Sequence, residues 1–156
     1  MANHAKTKRN YVTVEEALSV IKTGDRVFIH GSAATPVPLV KAMQVRHKDL
    51  HAVELVSITT MGDLDFDNPL WRESFFFNSL FVSANTRQVA NSMNGDYVPI
   101  FLSQIPQLFK KNILPLDGGK QILFLFFMPQ RSWDGGGERL VFQVRTVHRS
   151  KMFQAC

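Results

Sequence analysis

The chain has 156 residues, which is long enough for one domain with a sizeable core. Hydrophobic residues make up 45% and charged residues 20%, and this composition excludes an intrinsically disordered chain. The net charge is +5, but residues 1–117 hold 12 Lys and Arg against 11 Asp and Glu, whereas residues 118–156 hold six against two. A nucleic-acid-binding domain carries its basic face on the folded body, so this distribution disfavours nucleic-acid binding.

The single cysteine, Cys156, excludes an intramolecular disulfide and is compatible with a reducing compartment. No apolar run reaches the roughly 18 residues of a membrane-spanning helix, and the longest, Ile122–Met128, has the length of a strand or a short helix. Residues 1–11 are basic but lack the apolar core of a secretory signal. We therefore expect no membrane association and a cytoplasmic or mitochondrial location.

A first helix is predicted after Thr13. Thr13 and Glu16 form a capping box, in which each side chain satisfies a backbone donor of the other residue. The pattern predicts a helix that ends near Lys22 with Gly24 as its C-cap. The apolar side chains that share one face of this helix are Val14, Ala17, Leu18 and Ile21.

The most informative stretch joins a strand to a helix through small residues. Arg26–His30 is largely apolar, partly β-branched and typical of a buried strand. The strand breaks at Gly31, and Thr35 with Pro36 predicts a new helix, with Thr35 as N-cap and the helix continuing to Arg46. The residues expected to face inward on this helix are Leu39, Val40 and Met43.

The connecting loop is the candidate binding site. A strand–loop–helix turn directs free backbone N–H groups and the positive end of a helix dipole at whatever lies above the strand. Small side chains let a ligand approach that backbone closely. The loop matches no phosphate-binding fingerprint, so an ordinary strand-to-helix connection remains the alternative. The candidate residues are Gly31, Ser32, Ala33, Ala34 and Thr35.

Strands continue to alternate with helices down to Asp117. Further strands are predicted at Val53–Ile58, Phe75–Val82 and Tyr97–Phe101, with helices at Thr86–Met93, capped by Asn85, and from Ser103 to Lys111. This alternation predicts an α/β fold: a layered, mainly parallel sheet with flanking helices. In such sheets ligands bind beyond the carboxyl ends of the strands, where the Gly31 loop falls. After Asp117 the alternation stops, although Val141–Val147 reads as one more strand.

Three alternating acids, Asp63, Asp65 and Asp67, resemble the start of a calcium loop. An EF-hand loop needs Gly at its sixth position and Glu at its twelfth, where this chain has Asn68 and Ser74. We therefore interpret the three aspartates as solvated loop residues, and we expect no metal site.

Three segments carry a resemblance to a known family. They are Gly24–Pro38, Asn78–Val82 with Asn85 and Arg87, and Asp96–Pro106 continuing into Ile113–Asp117. In their order and spacing they resemble the N-terminal part of the acetyl-CoA hydrolase/transferase family, which includes 4-hydroxybutyrate and acetate CoA-transferases. The resemblance covers residues 12–117, between the basic segment 1–11 and a tail, residues 118–156, that lacks it.

The resemblance implies an incomplete CoA-transferase-like (NagB/RpiA-like) domain. In that family a glutamate attacks an acyl-CoA thioester, an enzyme-bound anhydride forms, and a glutamyl-CoA thioester follows. The resemblance makes Gly31–Thr35 candidates for contact with the oxyanion or the carboxylate. It implies acyl-CoA and a short-chain carboxylate as substrates and no further cofactor. The family's glutamate lies beyond residue 156, and nothing supports Glu138 as a substitute, so the chain alone is expected to be catalytically incomplete.

Other interpretations stay open. The chain could be a non-catalytic fragment that pairs with a partner, such as a full-length homologue or a second copy, because a missing second half leaves apolar surface uncovered. Binding of nucleic acid through the basic tail is the weakest alternative. Hydrolase and transferase activity are not distinguished. Because Gly119-Lys120 can be encoded by a splice-donor sequence, our hypothesis is that residues 118–156 are read-through or another truncated gene-model product, aberrant or poorly ordered.

Overall fold

The computed structural model describes residues 13–110, 122–127 and 142–147. Strands and helices alternate along most of this part of the chain, as an α/β fold requires. The strands are β1 (Arg26–Ile29), β2 (Val53–Ser57), β3 (Phe75–Ser79), β4 (Gly95–Tyr97), β5 (Ile122–Phe127) and β6 (Phe142–Val147). The α-helices are α1 (Val14–Leu18), α2 (Val37–Val45), α3 (Arg87–Ala90) and α4 (Ile105–Lys110).

All six strands belong to one sheet in the order β4-β3-β2-β1-β5-β6. Strands β1 to β5 run parallel, and β6 is antiparallel to β5. The layered, mainly parallel sheet is therefore confirmed, and the Phe-rich run forms a strand. Strand β2 pairs with one side of β1, and β5 pairs with the other side. The strand order therefore reverses at β1, and the carboxyl ends of parallel strands at such a switch point are the usual ligand site of open α/β sheets.

The first helix begins where it was predicted but ends early. The Thr13 hydroxyl accepts a hydrogen bond from the Glu16 amide at 3.2 Å, and α1 stops at Leu18 instead of Lys22. The predicted role of Gly24 as C-cap is therefore wrong. Gly24 has φ +79° in a separate turn, and its amide donates to the carbonyl of His51 at 2.9 Å. This hydrogen bond joins the turn before β1 to the segment before β2.

Helix α2 begins one residue later than predicted. Pro36 precedes the first helical residue, and the Thr35 hydroxyl donates to the Ser32 carbonyl at 2.7 Å, so Thr35 is not the N-cap. The Pro38 ring lies in the first turn, where no amide donor is needed. The inward face is as predicted, since three side chains are fully buried: Leu39, Val40 and Met43.

The later elements are shifted from their predicted bounds. Strand β3 ends at Ser79 instead of Val82, and β4 is Gly95–Tyr97, which overlaps the predicted Tyr97–Phe101 by one residue. Pro99 explains this last shift, because proline cannot donate to a sheet ladder. Ser103 lies inside a short 3₁₀ turn before α4 and does not cap it.

The two faces of the sheet bury separate apolar clusters. Successive side chains of a strand point to opposite faces. Val27 and Ile29 of β1 accordingly pack with α1 and α2, whereas Phe28 packs with Ile105 and Leu108 of α4. The buried strand predicted for Arg26–His30 is confirmed, because β1 has apolar layers on both sides.

One polar group interrupts the second face. Arg26 is only 7% exposed, and its Nε donates to Glu54 Oε2 at 2.5 Å, while Asn78 Nδ2 donates to Glu54 Oε1 at 2.5 Å. The three side chains come from β1, β2 and β3, so this network ties adjacent strands together.

Within the part of the chain that the structure describes, no helix is long and apolar enough to cross a membrane.

Candidate functional site

The small-residue loop follows β1 at the carboxyl end of the sheet, beside the switch point. Ser32 and Ala33 are exposed, Gly31 and Ala34 are half-buried, and Thr35 is buried at 7% exposure. Three of these residues form a short 3₁₀ turn before α2. The turn is open to solvent on the side where parallel sheets bind ligands.

Gly31 allows a close approach between two segments of backbone. A Cβ atom at this position would lie 2.5 Å from the carbonyl oxygen of Thr59, a distance that real Cβ atoms do not tolerate. Thr59 follows β2, the parallel neighbour of β1. Only glycine fits here without movement of the backbone, so the loop is packed directly on the segment that follows β2.

Ser32 holds an unusual backbone conformation. Its φ is +52°, in the left-handed region that few residues other than glycine adopt. Its amide donates to the Thr59 carbonyl at 2.9 Å, and its Oγ lies 2.9 Å from Thr59 Oγ1. Its carbonyl accepts from the Thr35 amide at 3.0 Å and from the Thr35 hydroxyl at 2.7 Å. Strained backbone persists where surrounding contacts over-determine it, as these four contacts do.

Two amides of the loop remain available to a ligand. The amides of Ser32, Ala34 and Thr35 donate inside the turn or to its neighbour. The amides of Gly31 and Ala33 have no acceptor among the residues that the structure describes. Helix α2, nine residues long, begins directly after the turn and adds the positive end of its dipole. The loop therefore presents donors to a negatively charged or polarised oxygen.

The segment after β2 forms the neighbouring wall of the site. The Met61 amide donates to Thr35 Oγ1 at 3.1 Å, and Asn85 Nδ2 donates to the Gly62 carbonyl at 2.6 Å. Asn85 was predicted to cap a helix. That prediction is wrong, because the residue before α3 is Thr86 and the Asn85 amide reaches across to the Gly62 loop. Asn85 therefore fixes the wall of the candidate site.

The other side chains able to take part in chemistry near this loop are His30, just after the end of β1, and Arg87. His30 is half-buried with Nδ1 3.4 Å from the Gly31 carbonyl oxygen, and Arg87 is exposed on α3. In residues 13–110, 122–127 and 142–147, no group of three or more His, Cys, Asp or Glu could hold a metal. The three alternating acids are solvent-exposed, as their interpretation as loop residues requires: Asp63, Asp65 and Asp67.

Sequence reasoning missed Thr59, whose carbonyl and hydroxyl both lie within hydrogen-bond distance of Ser32. It is 27 positions away from Ser32, and neither its type nor its spacing gives a signal. The hydroxyls of Ser57 and Thr60, on either side of it, are buried without a hydrogen-bond partner in the described part of the chain. The chain on both sides of Thr59 therefore carries buried polar side chains.

The sheet and the loop together define an α/β domain whose candidate site lies at the switch point of a mainly parallel sheet. The chain belongs to the acetyl-CoA hydrolase/transferase family, because the family's N-terminal domain model matches residues 1–120. This match agrees with the resemblance seen over residues 12–117.

Two relatives are CoA transferases. The chain is 37% identical over 111 residues to a 4-hydroxybutyrate coenzyme A transferase of Clostridium kluyveri, covering 70% of this chain and 26% of that protein. It is 39% identical over 105 residues to a succinyl-CoA:acetate/propanoyl-CoA:succinate CoA transferase of Fasciola hepatica, covering 66% and 22%.

Among solved structures, the crystal structure of RipA from Yersinia pestis aligns with a TM-score of 0.53 and 26% identity. The alignment covers 62% of this chain and 25% of RipA. The chain thus spans about a quarter of the length of the relatives it matches.

Proposed function

We propose that this chain forms the N-terminal part of an enzyme that exchanges CoA between an acyl-CoA thioester and a short-chain carboxylate such as acetate. The observation that carries the proposal is the Gly31–Thr35 turn, with two available amides, at the switch point of a sheet inside the family-matched region. The names of both relatives favour transfer over hydrolysis. A cytoplasmic or mitochondrial location is part of the proposal.

The proposed role of the turn follows from the chemistry of the reaction. A carboxylate of the enzyme attacks the thioester carbonyl, whose oxygen becomes an oxyanion. CoA then leaves as a thiolate, and an anhydride forms between the enzyme and the acyl group. The thiolate then attacks the other carbonyl of the anhydride, which releases the carboxylate of the first substrate and leaves CoA as a thioester of the enzyme. The acceptor carboxylate takes up CoA by the same two steps in reverse. Each attack needs fixed N–H donors around the oxyanion. The amides of Gly31 and Ala33 supply such donors.

The nucleophile of the proposed reaction comes from outside the described residues. Glu54 near the amino end of β2 is bound by Arg26 and Asn78, and Glu73 precedes β3 at the amino ends of the strands. The remaining described glutamates, in the first turn of α1, are Glu15 and Glu16. Glu138 lies outside the described residues. We therefore propose that the chain alone turns over no substrate.

A direct assay tests this incompleteness. The purified chain is incubated with acetyl-CoA and propionate, and propionyl-CoA and free CoA are measured by mass spectrometry. We expect neither product above the buffer control. Formation of propionyl-CoA would contradict the proposed incompleteness, although it would leave the proposed reaction class intact.

The role of the loop is tested by ligand binding. Acetate and acetyl-CoA are titrated into the chain, and backbone amide NMR shifts are followed. We expect the largest shifts at Gly31 and Ala33. In Gly31→Ala the new methyl group meets the Thr59 carbonyl, and the shifts should disappear.

The matched control is Gly24→Ala, where φ is +79° but no atom lies within 4 Å of the added carbon. This variant loses stability without touching the loop, so its ligand-induced shifts should persist. Shifts that survive in Gly31→Ala, or that never centre on the loop, would refute the proposed role.

A second candidate function is pairing with a partner subunit, either a full-length homologue or another copy of this chain. It is favoured by large apolar side chains that remain exposed after β4: Phe101 is 75% and Leu102 62% exposed. Tyr97 of β4 itself is 46% exposed. Apolar surface of this kind is typical of an interaction site.

A further inference from the structure

A second concave surface lies at the opposite, amino-terminal end of the strands. It is a cleft of about 540 Å³, a size within the range of small-molecule sites. Its walls are the segment between α2 and β2 and the segment that precedes β3. The residues that line it are His47, Lys48, His51, Pro69, Leu70, Arg72, Glu73 and Ser74.

The residues that line the cleft carry a net positive charge, whereas residues 13–110 as a whole do not. Residues 13–110 contain eight Lys and Arg against ten Asp and Glu, whereas the cleft has two permanent cations, two histidines and one carboxylate. The side chains of Lys48, His51 and Arg72 make no ion pair or hydrogen bond with other described residues. The nearby Glu73 does not neutralise Lys48 or Arg72 by a direct contact, so the charge of these two side chains is available to a ligand.

The two walls are joined by hydrogen bonds. Ser74 is 3% exposed, and its hydroxyl donates to the His47 carbonyl at 2.5 Å. The amide of Val53 donates to the Ser74 carbonyl at 2.8 Å, and the amide of Ala52, with φ +51°, donates to the Glu73 carbonyl at 3.1 Å. The basic side chains therefore project from backbone whose spacing is fixed, which lowers the entropic cost of binding.

We propose that this cleft binds a small phosphorylated anion through Lys48, His51 and Arg72. Arginine suits phosphate because its planar guanidinium donates two parallel hydrogen bonds, and lysine adds a compact positive charge. Several cations around one cleft favour an anion that carries two or more charges, such as a diphosphate group. The exposed side chains of Pro69 and Leu70 form the apolar rim of the cleft. The site lies apart from the Gly31 loop and does not depend on the proposed function.

The test is calorimetric titration of the full chain with inorganic pyrophosphate, with ADP and with nitrate as a monovalent anion. It is carried out at 150 mM NaCl to screen diffuse attraction. The cleft variant is Lys48→Gln/Arg72→Gln. The control variant, Lys41→Gln/Arg87→Gln, removes the same charge from two other exposed positions. We expect pyrophosphate to bind, the cleft variant to weaken binding at least tenfold, and the control to change it less than twofold.

A third variant keeps both cations. In Glu73→Gln a like charge leaves the cleft, and pyrophosphate should bind about threefold more tightly. ADP that binds more tightly than pyrophosphate would indicate a nucleotide as the source of the diphosphate, and the reverse order a free inorganic anion. Absence of binding, equal affinity for nitrate, or equal losses in the cleft and control variants would overturn the proposal. All the substituted side chains are exposed, so far-UV circular dichroism should be unchanged.

Discussion

Arg26 is a charged side chain on a strand whose other residues are apolar. It is paired with Glu54, and this carboxylate also accepts a hydrogen bond from Asn78. Replacing one partner of a buried ion pair leaves the other charge uncompensated, which is costly. We expect Glu54→Leu to lower the free energy of unfolding by about 3 kcal/mol in urea titrations.

The double variant Arg26→Met/Glu54→Leu should recover only part of this loss, because the apolar pair removes both ionic desolvation costs but leaves the Asn78 amide without its acceptor. Lys41→Met is the comparison for an exposed pair, since Lys41 Nζ lies 3.8 Å from Asp63 Oδ2 at the surface. It should change stability by less than about 0.5 kcal/mol. A Glu54→Leu effect no larger than this would show that the buried pair is not stabilising.

At single positions, sequence reasoning identified the type of residue better than its contacts. Gly31 was expected to let a ligand approach the backbone closely, but the structure places the Thr59 carbonyl against it, and contact with a ligand stays a prediction. The positive φ of Ser32 was not predictable, because it depends on hydrogen bonds to a residue 27 positions away. Asn85 was misassigned for the same reason: a cap would accept through its Oδ1, but the contact that the structure shows is a donation from its Nδ2 to Gly62, 23 positions away. Non-local contacts of this kind leave no periodic signal.

At the scale of elements, α2 depends on its buried face. Its N-cap residue, Pro36, makes no side-chain capping bond, so packing must stabilise the helix. Met43 is fully buried against the sheet, whereas Val45 in the same helix is 75% exposed. We expect Met43→Ala to cost about 2–5 kcal/mol because it leaves a cavity, and Val45→Ala to cost less than about 0.5 kcal/mol.

Urea unfolding followed by circular dichroism measures both effects on α2. Comparable losses in the two variants would mean that the helix does not dock through the face described. The amphipathic pattern predicted that face correctly, because helical periodicity is a local property of the sequence. Strand ends were predicted less well, since the bounds of β3 and β4 depend on which neighbour supplies hydrogen bonds. The sequence of an individual strand did not show that β4 and β6 would lie at the two edges of the sheet.

At the scale of the whole molecule, the exposed apolar surface after β4 makes association testable. If Phe101 and Leu102 contact a partner copy, light scattering after size exclusion should give a mass that rises with concentration. The variant Phe101→Ser/Leu102→Ser should shift the population toward monomer. Val45→Ser is the control, because Val45 is equally exposed on another element. A monodisperse monomer at all concentrations would argue against pairing between copies.

The placement of β5 beside β1 has a consequence for biosynthesis. Arg26 pairs with Ile122, so β1 cannot acquire its second neighbour until nearly a hundred further residues have been translated. Until then β1 offers an open hydrogen-bonding edge in the nascent chain, and such edges attract other polypeptides. Pairing between strands that are so far apart in the sequence is slow. A ribosome-bound chain stalled before residue 122 should therefore be a substrate for chaperones that bind extended apolar segments.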